Sequence, residues 1–524
     1  MTVLIFLIVL YVLLSLSMMK LFEKAGVPSW KALVPGLKEA EWCKLVGRSP
    51  WYALWLLFPV VNIFIFAGLA IDLSRSFGKH TFWDAFMAVV YAPIPYFLIG
   101  RNPAAKYEGP ILTRERAFHE EYAAALKTND KAAQRKLDAN NPFKKTAGRE
   151  WAEAIIFAVF AAAFIRMFLI EAFVIPTSSM EGTLKVGDFL FVSKAHYGIR
   201  TPITVIQFPL IHNQLPLLKT ESYLKNPSLP YYRLPAIENI DHNEPVVFNF
   251  PAGDSVIILP GRTFDIYQWR RIGYDKQAPN MKVVTRPIDK KDHYIKRCVA
   301  LPGDSLQIIN TQLYINGEPA VNPTHMQFTY QVGTASGGVN LKKLEELGVS
   351  LEDAGPSKDG RFNLDAQQVQ KVKAMGADVR VEKLSPRPPY PGYVYPNDPK
   401  YYGTWTMDDY GPIYIPKAGT TVSLTPQSMP FYERIIRDFE HNTLETKNGK
   451  YYINGQESAS YTFKQDYYWM MGDNRNNSED SRVWGYVPAD HVVGKPLFIW
   501  FSTKNGSLAN GINWNRIFKS ANKL

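Results

Sequence analysis

A cluster of hydroxyl groups and one lysine are the side chains in this sequence best suited to covalent chemistry. Thr177, Ser178 and Ser179 follow one another directly after a proline. Hydroxyl residues are common in solvated turns, so the cluster alone predicts only a turn. Lys296 lies in a strand-like run, Tyr294–Leu301, although lysine is depleted in strands. Taken alone, it is interpreted as an exposed lysine on a sheet face.

A third candidate segment is the dense polar run at 472–485, which follows the apolar run at 467–471. Turns of this composition are held together by Asx hydrogen bonds, so a structural loop is the first interpretation. The sequence contains no HExxH, GxSxG or Walker motif and no Gly-rich dinucleotide turn, and its histidines have no ligand spacing. We therefore expect neither a metal nor a cofactor. Cys43 and Cys298 form no disulfide framework and are given no role.

The elements around the hydroxyl cluster indicate where it lies. Residues 151–169 are apolar and long enough for a membrane span. From about Phe173 onward, β-branched and aromatic residues favour strands. The cluster is thus expected where a membrane surface meets water.

The charge distribution extends this interpretation to the whole chain. Residues 1–150 carry 19 Lys and Arg against 12 Asp and Glu, and this excess lies between apolar segments. Such a pattern is typical of cytoplasmic membrane loops rather than of a nucleic-acid surface. Charged residues make up 20% of the chain and aromatic residues 14%, so a disordered or collagen-like protein is excluded.

We predict about four membrane spans, at 1–19, 51–71, 85–100 and 151–170. The first lacks the basic start and the small-residue cleavage site of a secretory signal, so it is interpreted as a retained span. Basic loops at 20–50 and 101–150 place both loops in the cytoplasm. Everything after the fourth span is then extracytoplasmic.

The extracytoplasmic part, 171–524, is predicted to be mainly β. Short apolar runs alternate with Gly, Asn and Pro, and Asn316-Gly317 and Asn454-Gly455 are type I′ hairpin signals. Two stretches, near 197–244 and at 321–449, are predicted to be peripheral insertions.

The three segments, in this order and on one side of a membrane, resemble bacterial type I signal peptidases. The resemblance covers 153–195, 243–251, 294–304 and 470 to the end, and the pattern at 472–488 is highly specific. The three spans predicted before the membrane anchor depart from the family pattern, in which one or two are usual. Thr177 stands where a serine is usual, and Asn476 where Asp is frequent.

This resemblance implies a helical membrane region followed by a mainly-β catalytic domain of the signal peptidase type. It implies that Ser179 is the nucleophile and Lys296 the general base. A serine needs a base within hydrogen-bond reach, and a lysine can accept a proton only if burial keeps it neutral. We expect Ser478 to orient Lys296, and the Ser179 N–H and the Thr177 hydroxyl to stabilise the oxyanion.

The expected substrates are exported preproteins with small residues at the cleavage site, bound extended along Phe173–Pro176. Ser178 is interpreted as a spacer, and Asp480 and Arg482 as an ion pair that braces the loop. Membrane lipid is the other expected partner, the location is the bacterial inner membrane with the catalytic domain on the periplasmic face, and no nucleic acid is expected. The predicted substrate-binding residues are Phe173, Ile175, Pro176, Met180, Leu184, Tyr294 and Ile295.

Two alternatives remain open at this point. A self-cleaving repressor-type protease shares the Ser-Lys chemistry but predicts an upstream DNA-binding domain in place of membrane spans. A membrane scaffold that kept the fold and lost activity predicts no cleavage of a model preprotein.

Overall fold

The chain divides into two compact units, Met1–Phe160 and Ala161–Leu524. The computed structural model describes residues 2–522, apart from 58–60, 142, 145, 216–217, 219, 254, 260–261, 278–280, 335–336, 352–358 and 386–387. The boundary between the units falls inside one long helix. Each unit has its own hydrophobic core.

The first unit is helical. Its core contains residues from the first five helices, with Met18, Trp42, Leu69 and Tyr96 fully or almost fully buried. The α-helices, the last of which continues into the second unit, are α1 Thr2–Lys24, α2 Leu37–Val46, α3 Val61–Ser76, α4 Phe82–Tyr91, α5 Pro93–Arg101, α6 Ile111–Lys127, α7 Lys131–Ala139 and α8 Ala147–Phe168.

Two of the four predicted spans are not single straight helices. The span predicted at 51–71 is divided between a 3₁₀ helix, Pro50–Leu57, and α3. The span predicted at 85–100 is a pair of helices, α4 and α5, bent by 119°. Pro93 causes this break, because it lacks the N–H that would continue the helix and occupies the first turn of the next one.

Of the described residues, α8 is the one continuous helix that is long and apolar enough to cross a membrane. It contains the span predicted at 151–170. The bent pair α4–α5 would be a second candidate if it forms one broken span.

The second unit is mainly β. Its strands are β1 Ile170–Val174, β2 Asp188–Ser193, β3 Glu244–Asn249, β4 Ser255–Leu259, β5 Arg262–Asp265, β6 Val283–Thr285, β7 His293–Ala300, β8 Ser305–Ile309, β9 Gln312–Ile315, β10 Glu318–Pro319, β11 Phe328–Gly333, β12 Arg361–Leu364, β13 Arg380–Lys383, β14 Tyr410–Tyr414, β15 Thr421–Ser423, β16 Leu444–Lys447, β17 Lys450–Ile453, β18 Gln456–Glu457, β19 Ser460–Thr462, β20 Tyr467–Met471, β21 Val487–Pro488 and β22 Val492–Ser502. Its remaining α-helices are α9 Ile266–Arg271, α10 Tyr274–Gln277, α11 Leu341–Glu346, α12 Ala366–Lys373, α13 Pro399–Tyr402, α14 Met429–Arg434 and α15 Ser481–Trp484.

One seven-stranded sheet positions all three candidate segments. Its strand order is β1-β2-β22-β3-β7-β20-β21. The hydroxyl cluster follows β1, Lys296 lies on β7, and the polar loop follows β20. β7 pairs with β3 along its whole length up to Cys298, whereas its pairing with β20 begins only at Arg297. The edge of β7 at His293–Lys296 and the outer edge of β1 therefore pair with no other of the described strands.

Both predicted hairpins are confirmed. Asn316 and Gly317 have φ values of 55° and 87° and connect β9 to β10. Asn454 and Gly455, at 51° and 80°, connect β17 to β18. Two successive positive φ values are the signature of a type I′ turn, which asparagine and glycine tolerate best.

The first predicted insertion is an irregular antiparallel ribbon. Single bridges join Arg200 to Arg233 and Thr204 to Ser228. The Arg233 guanidinium donates to four backbone carbonyls, two within the ribbon and two on Ala489 and Val492, which ties the base of the ribbon to the main sheet.

The prediction that 321–449 is peripheral is wrong for its second half. Tyr395, Tyr410, Ile435 and Ile436 are buried in the same core cluster as Trp469 of β20, and β14 pairs with β8. By contrast, β11–β13 form a separate three-stranded sheet with its own small core. The proline and tyrosine content of the second half predicts an extended loop. Aromatic rings also fill core volume, however, and Tyr395 is buried in the core although the backbone around it is irregular.

Candidate active site

Ser179 lies in a short turn held close to the sheet. Backbone hydrogen bonds between Ile175 and both Gly187 and Asp188 extend the β1–β2 pairing to the start of the turn. A 3₁₀ helix then spans Ser178–Met180, and the Glu181 N–H closes it on the Ser178 carbonyl at 2.8 Å. Ser179 is therefore presented at the end of the edge strand.

Lys296 is brought to Ser179 by β7. Its Cα lies opposite that of Val246 on β3, and its side chain is only 3% exposed. Lys296 Nζ lies 2.5 Å from Ser179 Oγ, which is hydrogen-bond distance. The lysine is thus buried, against the first interpretation of an exposed sheet residue, and its ammonium group faces the serine hydroxyl.

The surroundings of Lys296 weaken its hold on a proton. Burial lowers the pKa of Lys296 to about 8, because a charged ammonium is poorly solvated there. The carboxylates of Asp480, Asp473 and Glu479 oppose this effect by favouring the charged form. At pH 7 about a tenth of the molecules then carry a neutral Lys296.

The loop after β20 packs directly on the serine turn. Asn474 donates from its backbone N–H to the Ser179 carbonyl and from its side chain to the Ser178 carbonyl, both at 3.2 Å. Asn477 Nδ2 donates to Ser178 Oγ at 3.1 Å. Ser178 is buried, and it is therefore more than the spacer that the sequence predicts.

Gly472 makes this close packing possible. A Cβ at this position would lie 2.5 Å from the Ser179 carbonyl oxygen and 2.3 Å from Ser478 Oγ. Both distances are far below van der Waals contact, so any larger residue would push the loop off the serine turn.

The Ser478 hydroxyl lines the same cleft as Lys296 and is buried. It makes no hydrogen bond of acceptable geometry within the described part of the chain, although it lies near enough to the Asp480 carboxylate to help lower the pKa of Asp480. The hydrogen bond to Lys296 that the sequence predicts is therefore absent from the described contacts.

Three buried ion pairs fix the backbone around the site. Arg482 donates to both oxygens of Asp480, at 2.9 and 2.7 Å, and this pair also anchors Gly472 through its N–H. Arg297, next to Lys296, makes the same two-fold contact with Asp473. Arg516 contacts Asp188 at the start of β2. Buried ion pairs with two hydrogen bonds fix the relative positions of the backbone segments that carry them, even where their net contribution to the free energy of folding is small.

The three segments surround a cleft of about 1010 Å³. Ser179, Lys296, Ser478 and Thr177 all line it, and Thr177 is exposed in an extended conformation with no capping hydrogen bond. Six of the predicted substrate-binding residues line it as well: Phe173, Ile175, Pro176, Met180, Tyr294 and Ile295.

The prediction that Leu184 walls the cleft is wrong. Its side chain is fully buried in the core cluster that contains Ile175, Met180 and Leu190, and it is not among the lining residues. The Leu184 N–H donates to the Met180 carbonyl at 2.9 Å, which closes the turn that follows Ser179.

Sequence reasoning missed several residues of the site. Gly472, Asn474 and Asn477 lie in the polar run that was interpreted as a structural loop, and the glycine next to an Asx-rich turn was the available signal. Pro388, Pro389, Tyr393 and Met407 also line the cleft, although they lie in the stretch predicted to be peripheral.

Comparison with protein families identifies two regions. A family model described as "Signal peptidase, peptidase S26" matches residues 148–371 and 418–501, which is more than half of the chain. A second model, of a family of unknown function, matches residues 30–110 in the helical unit.

Curated relatives extend over most of the chain. Signal peptidase I of Rickettsia massiliae is 23% identical over 364 residues, which is 69% of this chain and 82% of the relative. Signal peptidase I of Rickettsia canadensis is 24% identical over 70% of this chain and 85% of its own length. Signal peptidase I of Buchnera aphidicola subsp. Acyrthosiphon pisum is 25% identical over 70% and 79%. With a family model that covers both the serine turn and the lysine strand, the chain belongs to the signal peptidase family, peptidase S26.

Proposed function

We propose that this protein is a membrane-bound serine endopeptidase that removes N-terminal signal peptides from exported preproteins, with Ser179 as nucleophile and Lys296 as general base. The observation that carries the assignment of residues is the 2.5 Å separation of Lys296 Nζ and Ser179 Oγ in a buried cleft. Family membership supports the reaction, and this geometry supports the two residues.

The chemistry begins with the neutral form of Lys296. It accepts the proton of Ser179 as Oγ attacks the carbonyl carbon of the scissile peptide bond. The protonated lysine then donates this proton to the leaving amine, which leaves an acyl ester on Ser179. Water, deprotonated by the same lysine, hydrolyses the ester and frees the signal peptide.

The oxyanion is stabilised by the Ser179 N–H and the Thr177 hydroxyl. Thr177 is exposed to the cleft and its hydroxyl does not cap the following turn, so it is available to a substrate. A preorganised donor of this kind contributes about 3 kcal/mol to the transition state. The Asn474 contacts hold the carbonyls of this turn and so fix the direction of its N–H groups.

Ser478 acts on Lys296 rather than on the substrate. Its buried hydroxyl is close to the Asp480 carboxylate, whose own geometry is fixed by Arg482. From this position we expect Ser478 to limit the space open to the Lys296 ammonium, which lines the same cleft.

The preprotein binds in an extended conformation between two strand edges. The outer edge of β1 and the His293–Lys296 edge of β7 both border the cleft, and neither edge pairs with another of the described strands, so a substrate strand can be added there. We expect the side chains of Phe173, Ile175 and Ile295, which line the cleft, to admit only small residues before the cleavage site.

The test is cleavage of a model preprotein by the full chain in membranes, with sequencing of the product N-terminus. Wild type should cut at one position after a small residue. Ser179→Ala and Lys296→Ala should be inactive while still folding and inserting. A wild-type protein that binds the preprotein and never cleaves it would favour the scaffold alternative.

We further propose a multi-pass topology with about four spans and the catalytic unit on the periplasmic face. Supporting observations are the apolar helix α8, the bent pair α4–α5 and the basic excess of residues 1–150. Cys43 and Cys298 are both buried, so single exposed cysteines can be introduced without background labelling. An impermeant thiol reagent should label Lys504→Cys, but not Glu120→Cys, in spheroplasts. The opposite result would invert the topology.

A further inference from the structure

One wall of the cleft comes from a segment that the signal peptidase family model does not match. The match stops at residue 371 and resumes at 418. Pro388, Pro389, Tyr393 and Met407 lie in this gap, and all four line the cleft that contains Ser179 and Lys296. We call this stretch, residues 388–407, the wall segment. Part of the active-site surface thus comes from residues that the family model does not match.

The wall segment is fixed to the catalytic loop by its backbone. The Tyr395 N–H donates to the Arg482 carbonyl at 2.8 Å, and Arg482 Nη1 donates to the Met407 carbonyl at 3.3 Å. Asn397 Nδ2 donates to the Val483 carbonyl at 3.2 Å. The Tyr395 ring also packs closely on Gly485. A Cβ on residue 485 would lie 2.4 Å from the nearest carbon of that ring. The wall segment is therefore anchored to the catalytic loop at Tyr395, Asn397 and Met407, in part by the same arginine that braces Asp480.

The arrangement of the cleft indicates which part of a substrate meets this wall. Residues 173–176 and 292–295 precede Ser179 and Lys296 in their chains and border the cleft together. The serine turn itself is hydrogen-bonded to Asn474 and Asn477. These two residues belong to the same loop to which the wall segment is attached. A substrate strand that lies along 173–176 and reaches Ser179 must continue toward this loop and the wall.

We propose that Pro388, Pro389, Tyr393 and Met407 form a subsite for the first residues of the mature protein, those that follow the cleaved bond. This proposal rests on the proposed function, because it presupposes a preprotein in the cleft. The wall offers two proline rings, an aromatic ring and a thioether, which suit an apolar side chain. Glu479 also lines the cleft and is close enough to Tyr393 to help raise the pKa of its hydroxyl, so acidic charge lies next to the apolar surface of the wall. An acidic residue just after the cleavage site is therefore disfavoured.

The test compares two peptides with the same residues before the cleavage site. They differ only within the three residues after it, where one carries leucine and the other aspartate. Wild type should prefer the leucine peptide in kcat/KM. Tyr393→Ala and Met407→Ala should each reduce that preference about tenfold, the scale of a lost apolar contact in a specificity pocket. Lys400→Ala, an exposed position on the same segment, should leave it unchanged.

A reversal variant keeps the test decisive if either alanine variant is unstable. Met407→Lys places a cation in the wall and should raise kcat/KM for the aspartate peptide relative to the leucine peptide. Unchanged preference in all three variants, or a change only for peptides varied before the cleavage site, would overturn the proposal. Failure of wild type to cleave either peptide would instead count against the proposed function itself.

Discussion

The backbone N–H of Asn474 donates a 3.2 Å hydrogen bond to the carbonyl oxygen of Ser179, although the two residues are almost 300 positions apart. The contact joins the loop after β20 to the turn after β1, and Gly472 is the residue that permits it. The candidate nucleophile is thus positioned by tertiary contacts on two sides: Lys296 on β7 and the 472–478 loop. The following predictions test these contacts.

The pH dependence of cleavage should follow Lys296. Because its pKa is lowered to about 8 and only the neutral amine accepts a proton, kcat/KM should rise as pH rises to 8 and then level off. Between pH 8 and pH 6 the rate should fall by about fiftyfold, because the neutral fraction of Lys296 falls from about one half to about one hundredth. Steady-state cleavage of one peptide across this range checks it. A flat profile from pH 6 to pH 9 would exclude a lysine base with this pKa.

The burial that prepares Lys296 for catalysis should also lower the stability of the folded protein at neutral and acidic pH. The folded protein lowers the pKa of Lys296 below its unfolded value of 10.5, so the buried cation destabilises the fold below pH 8, and this cost is relieved as pH rises from about 8 to 10.5. Lys296→Met should therefore raise the unfolding temperature relative to wild type at pH 6.5, and the gain should shrink by pH 10. Thermal unfolding of both proteins at the two pH values measures this difference. A gain that grows with pH would contradict it.

Gly472→Ala should abolish most activity without unfolding the protein. The new Cβ would meet the Ser179 carbonyl at 2.5 Å, so the serine turn and the loop must separate. A displacement of about 1 Å at reacting groups costs on the order of 100-fold in rate. Gly338→Ala is the control, because a Cβ there meets no atom within 4 Å. Wild-type turnover in Gly472→Ala would show that this packing does not position Ser179.

The two halves of 321–449 should respond differently to deletion. The Leu384 N–H bonds to the Thr329 carbonyl at 2.9 Å, so residues 330–383 can be replaced by a linker of about three glycines at little entropic cost. This variant keeps the backbone contacts of Gln327 with the catalytic loop, and it should fold and cleave a short peptide. Loss of all turnover in a folded variant would mean that the β11–β13 sheet takes part in the reaction.

Deletion of 388–449 is the contrasting case. It would remove Tyr395, Ile435, Ile436 and their neighbours from the core beneath β20, so we expect no folded protein. A compact, active product would show that this core is not required.

The polar run at 472–485 and Lys296 were assigned to the site through the order of the three segments and their resemblance to signal peptidases, because each alone indicates only a structural loop or an exposed sheet residue. Leu184 was misplaced, because closeness in sequence to Ser179 does not say on which side of a turn a side chain emerges. The wall segment was missed because its prolines and tyrosines predict an extended loop whether that loop faces solvent or a cleft. Such facts depend on contacts between distant parts of the chain, which local patterns do not contain.

The most direct test of the Ser179–Lys296 account is to identify the acylated residue. A peptide substrate is mixed with the enzyme, quenched in acid within one turnover, and the digested protein is analysed by mass spectrometry. The account predicts an acyl ester on Ser179 in wild type and in Ser178→Ala, although the latter should turn over more slowly because it loses the hydrogen bond from Asn477. It predicts no ester in Ser179→Ala. An ester on Ser178, or peptide cleavage by Ser179→Ala, would contradict it.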